Sequence, residues 1–466
     1  TIGTNNLNIG LESGYVNTTG KNNIKIGYQA GYNSLFDNNI YVGNQCGYGA
    51  QGAYSNQLNV GIGNASLYNI QNGFRNIAIG DSAGFNISNG YANINLGYNS
   101  GYTGNTYSNC INIGPYAGNF NLTDNAINIG TQSGNYNSTG ENNINIGYLS
   151  GFMNQTGSRN IKIGLTAGRN NTNDENTFIG YNSGYGYSTS TGQYNIGIGS
   201  NTLYSNNLGT ANLAIGYNSL NSNTDGGWNT ALGYETLKLN QTGEKNVAIG
   251  YQSLSKNTNS YNVGIGVQTL SNNTSGSDNI AIGLYAIINN DSGANNIGIG
   301  TNSLGNNKFG SNNIALGNSS SVNDNNNLSN TISFGSNSKL SNSNSGILKF
   351  NSNSSNTSTP KSNEFWFGDP ENNWIDIRAG NLDLSGNLKL GGNIDISGTY
   401  KTTNIVANDI SANKITVTDI SSNNITTNNL TALTNITSSN LNASNITSNT
   451  INVSNGINVS NFLNVS

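Results

Sequence analysis

A five-residue phrase, Asn143-Ile144-Asn145-Ile146-Gly147, returns about every 17 residues over two thirds of the chain. With its last glycine as marker, copies end at Gly10, Gly27, Gly43, Gly63, Gly80, Gly97, Gly114, Gly130, Gly147, Gly164, Gly180, Gly199, Gly216, Gly233, Gly250, Gly266, Gly283, Gly300, Gly317 and Gly335. Most of the intervals are 17 residues, four are 16, and 18, 19 and 20 occur once each. Self-similarity at such a period marks a structural repeat in which each unit stacks on the next.

Within a unit, the third and first residues before the marker are apolar and mostly β-branched, as in Ile77 and Ile79 or Val247 and Ile249. Period two predicts a strand. The fourth residue before the marker is Asn in 17 of 20 units, including Asn76, Asn160, Asn246 and Asn313. Identical amides at strand spacing bond to one another up a stack, so this column predicts rungs in register. The marker glycine ends the strand where the chain turns. A second glycine stands seven residues earlier in 13 units, among them Gly3, Gly20, Gly140, Gly243 and Gly310, and is expected to serve a left-handed turn position. All four 16-residue units lack it.

The column four residues past the marker divides the repeat region. Up to unit 11 it is Gly, except at Leu67, usually followed by an aromatic residue: Tyr15, Tyr32, Tyr48, Phe85, Tyr102, Phe152, Tyr185. From unit 12 it becomes Leu203, Leu220, Leu237, Leu254, Leu270, Ile287 and Leu304, while the residue between the two strand isoleucines turns to Ala or Gly. Two subdomains of one solenoid are expected, 1–198 and 199–335. The aromatic ladder reads as a packing column that Leu replaces, or as a stacking platform for sugar rings. Tyr28, Tyr98, Tyr148, Tyr217, Tyr234 and Tyr251, directly after the marker, are the candidates for contact with a ligand on an exposed face.

The phrase Asn-x-Ala-Ile-Gly-Tyr-x-x-Leu at Asn246 to Leu254, met again with departures around Asn212 to Gly227, resembles the head repeats of YadA-type trimeric autotransporter adhesins. It is closer still to the longer variant in viral and phage tail fibres. That resemblance covers residues 1 to about 335 and implies a left-handed parallel β-roll with three chains side by side.

After Gly335 the period gives way to a Ser/Asn-rich run ending at Thr359-Pro360. Residues 336–400 read as a linker or neck, in which Trp366, Phe367 and Trp374 form a hydrophobic plug that locks chains together. Short alternating strands follow, such as Leu382-Asp383-Leu384. From Ile405 to Leu430, and again from Ile436 to Ile451, an apolar residue recurs every five positions. An odd step flips the side chain to the other face of a flat strand, so 401–466 is expected to be a thin triangular β-stalk of three chains. The rival is a single-chain pentapeptide solenoid, although the small residue such repeats carry two places before the central apolar one is here mostly Asn or Thr.

Composition closes other routes. Charged residues make up 8% of the chain, where an ordinary globular enzyme has about a quarter, and there is no His. Without imidazole there is no His-assisted nucleophile and no imidazole metal site; no enzyme and no cofactor is expected. The four acidic residues Glu364, Asp369, Glu371 and Asp376 fit turn chemistry better than a glycosidase pair. A net charge of −4 from 17 basic and 21 acidic residues is too weak to steer toward nucleic acid, and no apolar run approaches the 18 residues of a membrane helix. Cys46 and Cys110, about four rungs apart, cannot reach each other within one chain. The chain opens inside a unit and ends inside the five-residue pattern, which suits a segment of a longer fibre. An all-β homotrimeric fibre of about 90 Å of stacked rungs is expected, extracellular on a virion or cell surface. It would pair with itself and attach to a cell-surface glycan or receptor. A self-assembling filament or sheath without a receptor is the alternative.

Overall fold

The structure, a computed structural model, describes residues 3–49, 56–187, 190–322, 328–348, 365–367, 404–448 and 450–465, divided between a unit Thr1–Asp376 and a unit Ile377–Ser466. The first unit is a parallel β-solenoid. Three-residue strands, Leu7–Ile9, Ile24–Ile26, Ile40–Val42 and onward to Ile332–Phe334, each pair parallel with the strand one turn away. Register never slips: Ile144 faces Ile161, and Ile146 faces Ile163. Twenty-two such strands form one sheet, and no helix occurs among the described residues. Pairing also continues past Gly335, where the 17-residue period is lost: Gly346–Leu348 adds to Ile332–Phe334, and Phe365–Phe367 adds to Gly346–Leu348. A rung needs only three extended residues, so the return path between strands can change length without ending the sheet.

The side-chain pattern within each strand is the reverse of an amphipathic strand with its apolar residues inside. In the three-residue strands from Ile24–Ile26 to Ile332–Phe334 the middle residue is buried and the two residues flanking it are half-buried or exposed, as in Ile111–Ile113 and Ile77–Ile79, whereas all three residues of Leu7–Ile9 are exposed. The roll is thin, so its interior takes one side chain per strand, and the isoleucines stand outside.

Three positions per turn hold a left-handed backbone: two and four residues past the marker, and five before it. Gln252, Leu254 and Lys245 illustrate them, with φ of 52°, 52° and 55°. The marker glycines have φ between 107° and 142°, which side chains avoid. The second glycine column does not adopt the left-handed conformation expected of it: Gly20, Gly140 and Gly243 are absent from the positive-φ set. Their reason is space. A Cβ on Gly20 would stand 2.6 Å from the carbonyl oxygen of Phe36 on the next rung.

In the core, the residue in the middle of the strand and the residue four past the marker share one volume. Where the first is large the second is Gly: a Cβ on Gly31 would come within 2.8 Å of Lys25 Cδ, and one on Gly168 within 2.6 Å of Lys162 Cδ. From Leu203 to Leu304 the first is Ala or Gly and Leu or Ile enters, packing with Ala214, Ala231, Ala248, Ala281 and Ala315 in one buried cluster. Beside Ala78 the second stays Gly84, and Ile87 enters instead, its Cδ1 3.0 Å from where a Cβ on Gly84 would stand. Leu67 in the first half obeys the same rule, since the middle residue of its unit is Gly61. Leu therefore fills room vacated by the strand residue. It does not replace the aromatic ladder, which lies outside the core.

In the second unit, Asn404–Ser448 and Thr450–Val465 are extended and pair parallel within one chain. Ile436 faces Ile451, Leu441 faces Ile457 and Ile446 faces Leu463. The offsets of these pairs are 15, 16 and 17 residues, the register shifting between Ser438 and Asn440 and between Ala443 and Asn445.

Candidate functional site

The Asn column before the strand is a continuous file of hydrogen bonds. Asn229 donates its backbone N–H and its Nδ2 to Asn212 Oδ1, at 3.0 and 3.1 Å, and its Nδ2 also donates to the Gly243 carbonyl at 2.8 Å. Its own Oδ1 accepts both N–H groups of Asn246. Every polar atom of a fully buried amide is thereby used. Asn76, Asn160, Asn246 and Asn313 occupy equivalent places. Cys110 and Ala126 interrupt the file; Cys110 Sγ accepts the Ala126 N–H at 3.4 Å, and neither buried cysteine is placed to bond to another chain.

A second buried Asn column, not singled out from sequence, stands seven residues past the marker: Asn206, Asn223, Asn240, Asn257, Asn273, Asn290 and Asn307. Asn223 Nδ2 donates to Asn206 Oδ1 at 2.8 Å and to the Gly226 carbonyl three residues on at 2.9 Å. Its signal was the recurring Asn-x-x-Gly. A third file lies in the first half only, where Asn112, Asn128 and Asn145 each donate to the Asn below, at 2.8, 2.9 and 2.9 Å.

Outside, the two β-branched columns run side by side up the sheet, with Ile24, Ile77, Ile79, Ile196, Ile198 and Ile299 exposed. Next to them stand the tyrosines after the marker. Tyr28, Tyr98, Tyr148, Tyr217, Tyr234 and Tyr251 are all exposed, between 44% and 50%. Tyr217, Tyr234 and Tyr251 stack on each other at 5.2 Å, whereas Tyr98 meets Tyr116 edge-on. The aromatic ladder elsewhere, from Tyr15 through Tyr32, Tyr48, Tyr68 and Phe85 to Tyr102, is a stack with ring centres 4.9–5.1 Å apart. Its ring faces are spent on one another, which leaves only edges and ends for a sugar. Arg169 takes a ring's place between Phe152 and Tyr185, 5.4 and 5.6 Å from their centres.

One more external column carries large side chains that sequence reasoning passed over. Five residues before the marker, Tyr194, Trp228, Lys245 and Tyr261 follow one another with only Ala211 among them, and the three aromatics are more than half exposed. Lys245 Nζ stands 5.7 Å from the Trp228 ring centre and 5.1 Å from that of Tyr261.

Of the expected neck plug, Trp366 and Phe367 lie in the last described strand of the sheet, while Trp374 falls outside the described residues, as do Glu364, Asp369, Glu371 and Asp376. Two lysines sit inside the roll. Lys25 and Lys162 each donate from Nζ to a backbone carbonyl, of Ser34 and of Asn171, both at 2.9 Å. Burial without a counter-charge lowers their pKa to about 8 and about 7. Among the described residues no group of His, Cys, Asp and Glu gathers as a metal site, and no helix is long and apolar enough to cross a membrane. No family model and no curated protein matches this chain.

Proposed function

We propose that this chain is the shaft of a homotrimeric surface fibre that projects from a virion or cell and attaches it to a host or surface. The observation that carries the proposal is the exposed isoleucine face. Two β-branched columns about 7 Å apart, over about 90 Å of rungs, form a strip of roughly 600 Å², at the upper end of the largest apolar patch a soluble monomer leaves uncovered. Nothing among the described residues of the unit Thr1–Asp376 covers it, and its repeated form suits a copy of itself best, because identical ladders match rung for rung. The similarity of the Asn-x-Ala-Ile-Gly-Tyr phrase to trimeric adhesin and tail-fibre repeats supports three as the number. In this reading 336–400 is the neck and 401–466 the stalk, and attachment gains from threefold repetition of any binding surface. The attachment step rests on fold analogy.

Light scattering on the intact chain tests the assembly, with Ile77→Asp, Ile79→Asp and Ile198→Asp combined as the face variant. A mass near three chains that falls to one in the variant is expected. A monomeric parent chain would sink the proposal, and open-ended masses would put the filament reading in its place.

A further inference from the structure

The column five residues before the marker has a left-handed backbone throughout, with φ near 55–64°. Asn is the inexpensive side chain there, because its amide compensates a conformation costing other L-residues about 1–2 kcal/mol. Asn5, Asn22, Asn38, Asn109, Asn125 and Asn142 occupy it below, interrupted by Leu58, Arg75 and Ala92, and Asn295, Asn312 and Asn330 above. Over the eight rungs between, Asn disappears: Arg159, Glu175, Tyr194, Ala211, Trp228, Lys245, Tyr261 and Asp278. Leu residues at the left-handed position four past the marker are repaid by burial in the core, at 0% exposure for Leu220 and Leu254. Tyr194, Trp228 and Tyr261 have no such return, being exposed by 53%, 58% and 51%. Bulky residues held in a costly conformation with their surface in water point to a role outside the fold.

The arrangement has a gap of definite size. Ala211 donates its N–H to the Gln193 carbonyl below, and Trp228 donates to the Thr210 carbonyl, so Tyr194, Ala211 and Trp228 stand on three successive rungs. A side chain of one carbon on the middle rung leaves Tyr194 and Trp228 two rungs apart, about 9.6 Å. The chain's own stacked rings sit 4.9–5.2 Å apart. A single ring inserted above Ala211 would reproduce that spacing on both sides. The strip is one residue wide, and Gln193 and Thr210 lie in the adjoining column, with Gly227 beside Trp228. Two aromatic residues flanked by amide and hydroxyl groups suit a pyranose, whose C–H faces stack and whose rim hydroxyls hydrogen-bond. A broad apolar protein surface would find little here to cover.

We propose that the slot above Ala211, between Tyr194 and Trp228, binds the terminal pyranose ring of a glycan, with Lys245 and Tyr261 buttressing the far side of Trp228. Being one rung high, it admits one ring edgewise and sends the rest of the chain outward. The proposal gives a site to the attachment reading. The two fail separately, since a monomer that binds sugar keeps the slot and a trimer that binds none keeps the fibre.

Tryptophan fluorescence of the intact chain tests it, titrated with the methyl glycosides of glucose, galactose, mannose and N-acetylglucosamine and with sialic acid. At least one sugar is expected to shift the emission with millimolar affinity. Ala211→Tyr, which fills the missing rung with a ring, should weaken binding at least tenfold. Trp228→Asn should lower it similarly, followed by calorimetry because the reporter is gone, while raising thermal stability through the better left-handed residue. Loss of binding in a more stable protein cannot be attributed to misfolding. No response to any of the five sugars at 50 mM overturns the proposal. So does binding that both variants retain, or a drop in native mass in the variants, which would make the column an interface between copies.

Discussion

Between Ile94 and Gly151 the solenoid is filled by amides, and between Leu213 and Gly317 by alanines and leucines, yet the strands on either side keep the same length, pairing and register. In the first stretch Asn112, Asn128 and Asn145 hydrogen-bond through the middle of the roll, walled by Gly118, Gly134 and Gly151, with aromatic rings stacked outside. In the second, Leu enters, the central residue shrinks, and the outer stack ends at Tyr204. What the two halves share, apart from the interruption at Cys110 and Ala126, is the Asn file before the strand and the marker glycine. The backbone is thus specified by the elements that bond one rung to the next, while the interior needs only a constant filled volume.

The sharpest way to break this comparison is to give one half the other's residue without its partner. Gly134→Leu puts a side chain onto Asn128 Oδ1 in a left-handed position and is expected to cost about 3–5 kcal/mol from overpacking and backbone strain together. Adding Asn128→Ala should recover at least half of that loss, although Asn128→Ala alone destabilises. Guanidinium unfolding of the three variants gives the coupling, and additive effects would show that the two positions do not share one volume.

The reciprocal change opens a cavity. Leu254→Ala removes a fully buried side chain packed beside Ala248, with an expected cost of about 3 kcal/mol. Leu67→Ala, in the first half but beside Gly61, should cost as much, because local volume decides and not the half in which the residue stands. A Leu67 variant losing under about 1 kcal/mol in the same unfolding assay would contradict that.

The shared element predicts a smaller effect that is the same in both halves. Asn229→Ala would remove the acceptor for the backbone N–H and Nδ2 of Asn246 and one of the two donors to the Gly243 carbonyl, which keeps Asn240 Nδ2, an expected loss of about 2 kcal/mol. Asn76→Ala in the other half should match it. Ala126→Asn runs the other way: it restores the missing acceptor beneath Asn143 and should add about 1 kcal/mol. Thermal unfolding that leaves Ala126→Asn unchanged would mean that the file tolerates gaps freely.

How much of this could be read from residues alone follows from which contacts repeat. Rungs, register and the Asn76-type file are periodic at one position, so a single column reveals them. Which face the isoleucines take is not: period two in Ile77-Ala78-Ile79 says that sides alternate, while the side that lies inside depends on a cross-section too thin for two side chains per strand. The role of Gly20 was misassigned for a similar reason, since glycine serves a left-handed backbone and a close carbonyl equally well, and only the distance to Phe36 separates them. The Leu-for-Gly exchange was visible, but its partner in space is the strand residue six positions earlier, and the aromatic residue beside it in sequence drew attention instead. Trp228 stands in a column that changes from Tyr194 to Ala211, Trp228, Lys245 and Tyr261 from rung to rung, which leaves no residue type repeating at the period.

The two halves also differ in titratable groups, which gives the mildest prediction. Lys25 and Lys162 lie inside the first half, together with Tyr41, Tyr107, Cys46 and Cys110, and no ionisable side chain is buried in the core of the second half among the described residues. Burial lowers Lys162 to about 7 and Lys25 to about 8 from 10.5. A lysine neutral in the fold and charged when unfolded makes the unfolded chain hold more protons, so stability rises with pH by about 1.4 kcal/mol per unit for each such group. That rise begins near pH 7 for Lys162 and near pH 8 for Lys25. Burial pushes Cys110 up to about 11 and Cys46 to about 12, from 9.0, and also raises both tyrosines above 10. These groups act oppositely, because above pH 9 the unfolded chain begins to lose protons that the fold keeps. Stability is therefore expected to climb from pH 7 to about 9 and fall beyond 10, as followed by denaturant unfolding at constant ionic strength. Lys25→Met with Lys162→Met should erase the climb and leave the fall. If the climb survives that pair of changes, its source lies outside the core, and the first half's polar interior carries no pH sensitivity of its own.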